Sequence, residues 1–547
     1  MPTHEVTNQP PPLEDYNLFE ENRPLVEAVR REGAAWAESH LSGLGKIAGG
    51  EPLRWGVLAN DNPPILRTHD RFGNRIDEVE FHPAWHQLMT MAVEAGVHAL
   101  PWREQRAGAH VARAAMMIVG GEVESGHGCP ISMTYAAVPA LRAQPELAEE
   151  WEPRFTSLHY DPRLIPADQK SSALCGMAMT EKQGGSDVRA NTTTARALNG
   201  GGPGAEYALT GHKWFCSAPM CDAFLVLAQA PGGLSCFLLP RVLADGSRNR
   251  FYIQRLKDKL GNRSNASSEV EFDDAWARMV GEEGRGVHTI IEMVNYTRLD
   301  CILGSTGLMR AAIAQATHHC SYRSAFGNKL IDQPLMQNVL ADLCIETEAA
   351  LVTAMRMARA CEEASNDEDA ALFKRIGMAV CKYWVSKSAV GVVAEALECF
   401  GGNGFVEESM MPRLYRESPL NSIWEGSGNV NALDVLRAVV KNPRTLEAFF
   451  AEVEEATGSE PALDAAVGRV KDAFADTTDV EVRARRIVED MAKVLQGSLL
   501  VRHAPDEIAG AFCRTRLGGD SGRAYGTLPT GIDYAAIIER HRPRLAS

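Results

Sequence analysis

Residues 211–217, Gly211-His212-Lys213-Trp214-Phe215-Cys216-Ser217, have the pattern of a β-strand in a chain that otherwise reads mostly as helix. Side chains alternate across a strand, so Phe215 and Ser217 lie on the same face. On such a face, the Phe215 ring can stack on a flat ligand and the Ser217 hydroxyl can hydrogen-bond to the edge of that ligand. The alternative is a core aromatic residue beside a surface serine.

The sequence around this strand also favours β-structure. Between Ser171 and Gly281, short runs of β-formers such as 224–227 and 236–239 are separated by Gly, Pro and Asn. Val270 and Phe272 alternate with acidic residues, as in a half-buried strand. This segment therefore predicts a β domain.

The flanking sequence is helical. Residues 85–148 carry apolar residues three and four positions apart, and the helical period returns strongly over 286–440. Residues 385–400 have a wide apolar face, which is typical of a helix in a bundle. Residues 1–65 are rich in turn signals around one helical stretch near 25–36, and the residues after 440 form a further helical unit.

The chain has 547 residues, more than the ~250–300 that one hydrophobic core supports. The patterns predict an α+β fold, mostly α, in four parts. These are an N-terminal extension and helical domain at 1–175, a barrel-like β domain at 176–284, a helical bundle at 285–440 and a C-terminal helical domain at 441–547.

Composition excludes several classes of protein. With 56 basic and 71 acidic residues the net charge is −15, which argues against nucleic-acid binding by the whole surface. The 12 cysteines include no C-x-x-C pair, so we expect reduced, mostly buried thiols and no metal site. The polar, Pro-rich start is unlike a signal peptide, and no apolar run reaches the ~18 residues of a membrane helix. We expect a cytoplasmic protein with no membrane partner.

A loop precedes the 211–217 strand. Met179-Thr180-Glu181-Lys182-Gln183-Gly184-Gly185-Ser186-Asp187 places hydroxyls on both sides of two glycines. Its backbone N–H groups can closely approach an anion or a planar ring. An ordinary turn has the same composition. The loop matches neither the dinucleotide fingerprint nor the Walker loop.

Two Gly-rich segments follow in the predicted bundle. They are Phe400-Gly401-Gly402-Asn403-Gly404-Phe405 and Asn421-Ser422-Ile423-Trp424-Glu425-Gly426-Ser427-Gly428-Asn429. Glu425, in an apolar and aromatic setting beside a Gly-rich loop, is a candidate general base. The alternative is a glutamate at a helix N-terminus next to a turn.

The order and spacing of these segments resemble the acyl-CoA dehydrogenase flavoprotein superfamily. Tyr322-Arg323-x-x-Phe326-Gly327 stands at the expected place, and the resemblance runs from about Trp85 to Val440. The chain is more similar to one branch, the AidB-type flavoproteins induced in the adaptive response to DNA alkylation. That resemblance rests on Lys182-Gln183, on residues 255–266 and on residues 421–429, and it extends over nearly the whole chain.

The resemblance implies FAD as the cofactor, bound between the β domain and the helical bundle. Thr180 and Ser186 match residues that contact the flavin and its phosphates, Phe215 the stacking residue, and Ser217 the hydroxyl near flavin N5. Arg323 and Phe326 match residues that reach the FAD of a neighbouring subunit, which implies a homo-oligomer, a tetramer. Further implied contacts are Met179, Gly185, Cys216, Gly402, Ile423, Trp424 and Asn429.

The same resemblance assigns Glu425 as the catalytic base and places Arg298 close to it, although a helix-to-helix ion pair is an equally good interpretation of Arg298. Two residues depart from the family pattern. Glu398 replaces a Gln that faces the cofactor, so it either turns away from the pyrophosphate or pairs with a cation such as Arg323. Trp424 replaces a Tyr or Phe and predicts a shorter, bulkier pocket.

The branch also predicts a DNA partner. Residues 482–547 hold eleven basic residues against seven acidic ones, and ten of the eleven are arginines, which suit phosphate contacts. The candidate DNA-binding residues are Arg437, Arg483, Arg502, Arg514, Arg516 and Arg523. The sequence thus predicts a flavoprotein that binds duplex DNA without sequence specificity and protects it from alkylation, with weak or residual acyl-CoA dehydrogenase activity. The alternative is a genuine short- or branched-chain acyl-CoA dehydrogenase, with its arginines on solvated helix faces and in ion pairs.

Overall fold

The computed structural model describes residues 3–545, which contain eighteen α-helices and eleven β-strands. The helices are α1 (Arg23–Arg31), α2 (Glu38–Ala48), α3 (Glu51–Asp61), α4 (Pro83–Glu94), α5 (Leu100–Arg103), α6 (Ala109–Val123), α7 (Gly128–Leu141), α8 (Pro145–Phe155), α9 (Gly286–Tyr322), α10 (Pro334–Glu363), α11 (Glu368–Glu398), α12 (Met411–Glu417), α13 (Gly428–Lys441), α14 (Arg444–Glu454), α15 (Pro461–Ala475), α16 (Val480–His503), α17 (Asp506–Phe512) and α18 (Tyr534–His541). The strands are β1 (Ile65–His69), β2 (Arg75–Glu80), β3 (Cys175–Ala178), β4 (Thr194–Ala197), β5 (Glu206–Ser217), β6 (Ala223–Ala230), β7 (Gly233–Pro240), β8 (Phe251–Leu256), β9 (Ser267–Val280), β10 (Ser324–Ala325) and β11 (Asn328–Lys329).

The central strands close into a barrel. Around the ring, β6 pairs with β4, β4 with β5, β5 with β9, β9 with β7, and β7 again with β6. β3 adds to β6 in parallel, and β8 adds to β9. Closure satisfies backbone groups that an open sheet would leave at its edges. The predicted β domain is confirmed, and strand β5 carries the 211–217 motif.

Two compact units make up the chain. One comprises residues 3–51, 107–123 and 298–545, and the other comprises residues 52–106 and 124–297, which include the barrel. The predicted fold class is confirmed: the chain is mostly helical around a central barrel, with helices before it, a bundle after it and further helices at the C-terminus. The four predicted domain ranges stay a prediction.

Helices α10 and α11 are the longest pair in contact in the first unit. α11 begins where the Asp367 side chain accepts a hydrogen bond from the Ala370 N–H, which caps one of the unpaired donors of its first turn. Its predicted apolar face is buried, including Val385, Ala389 and Val392. One charged residue, Lys382, lies on the same face and is 0% exposed.

The N- and C-terminal segments of this unit are joined through α9 and α10. The Arg310 guanidinium of α9 donates to the Glu21 carbonyl at 2.7 Å and to the His541 carbonyl at 2.5 Å. On α18, Arg540 pairs with Glu27 and Glu348, and the His541 ring lies 2.9 Å from Glu348. Two basic residues of the C-terminal segment therefore act in internal packing.

The first 65 residues differ from the prediction of a single helical stretch. Three helices lie there, and a β1–β2 hairpin follows. The glycines of α2 indicate turns in the sequence, but Gly45 is required by packing: a Cβ there would lie 2.3 Å from Asn17 Oδ1. Pro52 falls in the first turn of α3, where its missing N–H costs nothing.

All twelve cysteines are buried, and none forms a disulfide within the described residues, as predicted. None of the helices within residues 3–545 has the length and apolar character that spanning a membrane requires.

We predict that the junction at Glu348 is sensitive to acid. Burial raises the pKa of Glu348, but hydrogen bonds from His541 and Arg540 outweigh burial and lower it from 4.5 to about 2. The ionised carboxylate therefore stabilises the fold fully above pH 4.5, and this contribution is lost as pH falls toward 2. Glu348→Gln should lower the free energy of unfolding by about 3–5 kcal/mol at pH 7, with a smaller difference from wild type at pH 3.

Urea denaturation at both pH values measures this difference. The exposed Glu149→Gln substitution is the matched control and should leave stability unchanged at both. A destabilisation by Glu348→Gln that is equal at pH 7 and pH 3 would contradict the prediction.

Candidate functional site

Glu425 has a left-handed backbone conformation in the loop that leads into α13. Its φ is +57°, which is uncommon for a residue other than glycine. Holding a side chain in such a region costs of order 1–3 kcal/mol, and the conformation persists only where surrounding contacts determine it. The contacts around Glu425 supply that restraint.

Two buried cations bind the three consecutive carbonyls of this loop. The Lys382 ammonium donates to the Trp424 carbonyl at 2.8 Å and to the Gly426 carbonyl at 2.5 Å. The Arg298 Nε–H donates to the carbonyl of Glu425 itself at 3.0 Å. Helices α11 and α9 thus fix the backbone on both sides of the candidate base.

Arg298 forms the predicted helix-to-helix ion pair and also lies beside Glu425. Besides its bond to the Glu425 backbone, its guanidinium lies 2.8 Å from the Asp434 carboxylate on α13. Asp434 also pairs with Arg375 of α11 at 2.7 Å. Burial raises the pKa of Asp434, and the attraction of Arg298 and Arg375 outweighs it, so the pKa is lowered. Arg298 is therefore an interhelical ion-pair residue that also binds the backbone of Glu425.

The side chains beside the base are held as well. The Trp424 indole N–H donates to Asn421 Oδ1 at 2.9 Å, and the Asn421 amide donates to Ser305 Oγ at 3.2 Å. Asn431 donates to the carbonyls of Gly426 and Ser427. The indole therefore has a fixed position next to Glu425, while Ile423 is 63% exposed.

In the barrel unit, Glu181 anchors the 179–187 loop. Its buried carboxylate lies 2.8 Å from the Lys213 ammonium and accepts backbone hydrogen bonds from Thr192 and Thr193. Burial raises the pKa of Glu181, but the attraction of Lys213 and these hydrogen bonds outweigh it and lower the pKa. The lysine of the 211–217 motif therefore supports the loop from inside the barrel.

The loop leaves its two hydroxyls available. Thr180 and Ser186 make no side-chain hydrogen bond with any residue of the described chain. Gly185 is needed for the close approach of the loop to Thr180, because a Cβ at 185 would lie 2.5 Å from the Thr180 hydroxyl. Met179 is half-buried at the start of the loop.

Phe215 presents an open aromatic surface. Its ring is 52% exposed, and the Lys257 ammonium lies 4.7 Å from the ring centroid. Ser217, on the same strand, has its hydroxyl 3.4 Å from Ser267 Oγ. Cys216, between them, is fully buried, and its carbonyl accepts a hydrogen bond from Ser268 Oγ at 2.8 Å. The predicted cofactor contact of its side chain is therefore corrected to a buried position.

The implied subunit-contact residues lie on a hairpin. Phe326 and Gly327 form the two-residue turn between β10 and β11, and both have positive φ, at +54° and +84°. The Phe326 ring is 97% exposed. Arg323 donates to the Asn8 carbonyl at 2.6 Å, so the proposed pair between Arg323 and Glu398 is not formed. Glu398 is exposed at the end of α11.

The remaining implied contacts of the bundle are accessible. Gly402 is exposed, and a Cβ at this position would meet nothing within 4 Å. Asn429, in the first turn of α13, is exposed too.

Several of the predicted DNA-binding arginines have internal partners. Arg516 is 11% exposed and pairs with Asp342 and Glu346 of α10. Arg502, at 16% exposure, pairs with Glu452. These two residues are corrected to structural roles, since both are engaged in largely buried ion pairs.

The other four candidates are more accessible. Arg483 binds the Ala473 carbonyl in the last turn of α15 and the Asp476 and Thr478 carbonyls that follow it. Arg514 pairs with Asp520 while 47% of its side chain stays exposed. Arg437 and Arg523 are exposed and form neither ion pairs nor hydrogen bonds with residues 3–545.

Sequence reasoning missed Lys382 and underestimated Lys213. The available signal for Lys382 was a lysine on the otherwise apolar face of α11. For Lys213, the available signal was a lysine at a position of the 211–217 strand whose side chain points into the barrel. Within the described residues, no three His, Cys, Asp or Glu side chains are grouped as a metal ion would require.

Three family profiles match consecutive parts of the chain. Residues 8–162 match the adaptive response protein AidB N-terminal domain, residues 176–275 the acyl-CoA dehydrogenase middle domain, and residues 284–440 the acyl-CoA dehydrogenase C-terminal domain.

Individual proteins are similar over almost the whole length. AidB of Escherichia coli (strain K12) is 45% identical over 94% of both chains. Acyl-CoA dehydrogenase family member 11 of Caenorhabditis elegans is 30% identical over 85% of this chain and 80% of its own. The crystal structure of Caenorhabditis elegans ACDH-11 in complex with C11-CoA superposes with a TM-score of 0.86 at 28% identity, covering 93% of each chain.

We predict that Lys213 stabilises the barrel unit. Lys213→Met leaves the Glu181 carboxylate buried without its cation and should lower the free energy of unfolding by about 3–5 kcal/mol. Adding Glu181→Gln should restore part of the loss, because the double variant has no buried charge at this position. Urea denaturation of the two variants measures both effects.

The exposed loop residue Lys182 provides the control, and Lys182→Met should leave the stability unchanged. Equal stabilities of the Lys213→Met and Lys182→Met variants would contradict the structural role of the buried pair.

Proposed function

The chain belongs to the acyl-CoA dehydrogenase family, as an AidB-like member, and on this basis we propose that it oxidises the Cα–Cβ bond of an acyl-CoA thioester with FAD. The observation that carries the proposal is the restrained position of Glu425, whose flanking carbonyls are bound by Lys382 and Arg298. A surface glutamate at a helix start needs no such arrangement.

FAD is the cofactor of this family, and the residues of this chain fit it. The barrel unit offers a half-exposed aromatic ring at Phe215, and a Gly-containing loop with two unengaged hydroxyls, Thr180 and Ser186. Ser217 shares the face of Phe215. These four residues of the barrel unit would hold the isoalloxazine and the phosphates. When bound, FAD supplies a two-electron acceptor for the hydride that leaves Cβ.

The proton is taken by the protein. In the proposed reaction the Glu425 carboxylate accepts the proton from Cα of the thioester, and the electron pair of that C–H bond becomes the new Cα–Cβ double bond. The hydrogen bonds to the loop hold the Glu425 backbone in one conformation, so less conformational freedom is lost in reaching the reactive geometry. Arg298, bound to the Glu425 backbone, is a positioning residue in this step.

The proposed substrate is an acyl-CoA, and the bulky Trp424 side chain affects the length of the acyl chain that fits beside Glu425. The complex of ACDH-11 with C11-CoA supports an acyl-CoA ligand for a fold of this kind. The Trp424 indole N–H donates to Asn421 Oδ1 at 2.9 Å, which favours one position of this bulky ring beside Glu425. We favour short or branched acyl chains for this reason.

The hairpin of β10 and β11 supports assembly into a homotetramer. A phenylalanine ring that is 97% exposed at a strained turn gains nothing in a monomer in water. Contact between Phe326 and a second subunit would bury the ring. This is the position where the family resemblance places a contact with the neighbouring FAD.

Duplex DNA is a second candidate partner. The match to the AidB N-terminal domain and to AidB itself supports it. Among the proposed contacts, Arg437 and Arg523 are exposed and have no ion-pair or hydrogen-bond partner within residues 3–545. Arg514 and Arg483 are partly exposed beside Asp520 and Asp476. Contacts of arginine with phosphates would give binding without sequence specificity and would shield DNA from alkylating agents.

The first experiment tests the base. Glu425→Gln should lower the rate of flavin reduction by butyryl-CoA or isovaleryl-CoA by about 10²–10⁴-fold, because an amide cannot accept the Cα proton. The FAD content should be unchanged. Anaerobic stopped-flow absorbance measures the rate, with the exposed Glu408→Gln variant as control. An unchanged rate in Glu425→Gln would remove this residue as the base.

The second experiment tests DNA binding by substitution, because a truncation after Val440 would leave Asp342, Glu346 and Glu348 of α10 without their cations. The binding constant for a DNA duplex is measured by titration at several salt concentrations. The slope of its logarithm against the logarithm of the salt concentration should be less steep by about 2 for the double variant Arg437→Ala, Arg523→Ala than for wild type. The exposed Arg71→Ala variant is the control. Equal slopes would exclude these two contacts, and no binding by the wild type would exclude the DNA partner.

A further inference from the structure

Lys382 is a buried cation at the point where three helices meet the base loop. It is 0% exposed, on the face of α11 that otherwise packs apolar side chains. Burial lowers the pKa of its ammonium. A lysine in such a place is costly unless its donors are used, and here they bind the Trp424 and Gly426 carbonyls.

We propose that Lys382 is a positioning residue for the reaction, which sets the orientation of the Glu425 carboxylate and keeps that carboxylate ionised. The inference rests on the proposed role of Glu425 as the base, and it adds to that role a residue on a different helix.

The first part of the proposal, that Lys382 orients Glu425, follows from the hydrogen bonds of its ammonium to the Trp424 and Gly426 carbonyls. The carbonyls that Lys382 binds belong to the residues immediately before and after Glu425, at 2.8 and 2.5 Å. One ammonium binds the two flanking carbonyls and Arg298 binds the Glu425 carbonyl, which leaves little freedom for the backbone at Glu425, whose φ is +57°. An ammonium has three rotatable donors and can bridge carbonyls in this way.

The second part of the proposal, that Lys382 favours the ionised form of the Glu425 carboxylate, follows from the attraction between opposite charges. A cation close to a carboxylate stabilises its ionised form, and the effect is larger away from water. The groups that interact with the Lys382 ammonium are Cys301 and Arg298 of α9, Glu425 of the loop and Lys387 of α11 itself. Burial raises the pKa of the Cys301 thiol to about 12, so it stays neutral at pH 7. Asp434 of α13 is engaged with Arg298 and Arg375.

Three variants separate the two parts. Lys382→Met removes donors and charge at similar side-chain length, Lys382→Gln keeps amide donors without the charge, and Lys441→Met is the control at an exposed lysine of α13. Each FAD-loaded protein is mixed anaerobically with butyryl-CoA and isovaleryl-CoA between pH 5.5 and 9. The rate of flavin reduction and the concentration for half-saturation are measured.

We expect Lys382→Met to reduce flavin about 10²-fold more slowly, because a small displacement of a catalytic group has this effect, with half-saturation changed only a few-fold. The acid limb of its pH–rate profile should move upward by about one unit, since the base loses a neighbouring cation. Lys382→Gln should show the same shift of the acid limb with a smaller fall in rate. A role in folding alone would not move the acid limb.

Hydrogen–deuterium exchange of residues 424–428 provides a readout that needs no substrate. Faster exchange in Lys382→Met than in wild type supports the orientation part, and equal exchange overturns it. An unchanged rate and acid limb in both Lys382 variants overturns the inference while Glu425→Gln still tests the base. A Lys382→Met protein that does not fold leaves Lys382→Gln to decide, by its acid limb and by its exchange over the same residues.

Discussion

Two buried cations and three backbone carbonyls fix the geometry on which the proposed chemistry depends. Lys382 extends from α11 and Arg298 from α9, and both end on the loop that leads into α13. The backbone position of Glu425 is therefore held by side chains from two long helices rather than by the loop's own sequence. The left-handed backbone at Glu425 costs of order 1–3 kcal/mol, which these charge-assisted hydrogen bonds offset. A catalytic group held in this way has little reorganisation to undergo before it reacts.

Local patterns in the sequence were sufficient to predict the barrel, the bundle and the loops with Gly and hydroxyl residues. Strand alternation placed Phe215 and Ser217 on one face, and the helical period identified the apolar face of α11. The sequence could not show which polar residues pair across long separations. Lys382 reaches carbonyls more than forty positions away, and Arg516 reaches Asp342 on α10. Helices α2 and α3 were missed because glycine and proline usually indicate turns. In the folded chain, Gly45 allows the close approach of Asn17, and the proline of α3 lies in its first turn.

The charges of the C-terminal segment illustrate the same limit. Its excess of arginine suggested a surface for phosphate, yet Arg502, Arg516 and Arg540 balance acidic residues inside the helical unit. α10 alone contributes Asp342, Glu346 and Glu348 to these pairs, so its acidic face requires the segment that follows residue 500. Arg485, Arg486, Arg514, Arg523 and Arg544 remain exposed in this segment. Any electrostatic attraction to a polyanion through them is local in a protein of net charge −15.

The junction at Arg310 bears on the order in which the chain can complete its fold. The same guanidinium binds the carbonyls of Glu21 and His541, residues that are separated by nearly the entire polypeptide. At a translation rate of about 5–20 residues per second, the N-terminal segment leaves the ribosome roughly half a minute to two minutes before its partner is made. The barrel unit has all of its segments by residue 297 and can fold during synthesis. The junction in the helical unit cannot form until residue 541 has been made.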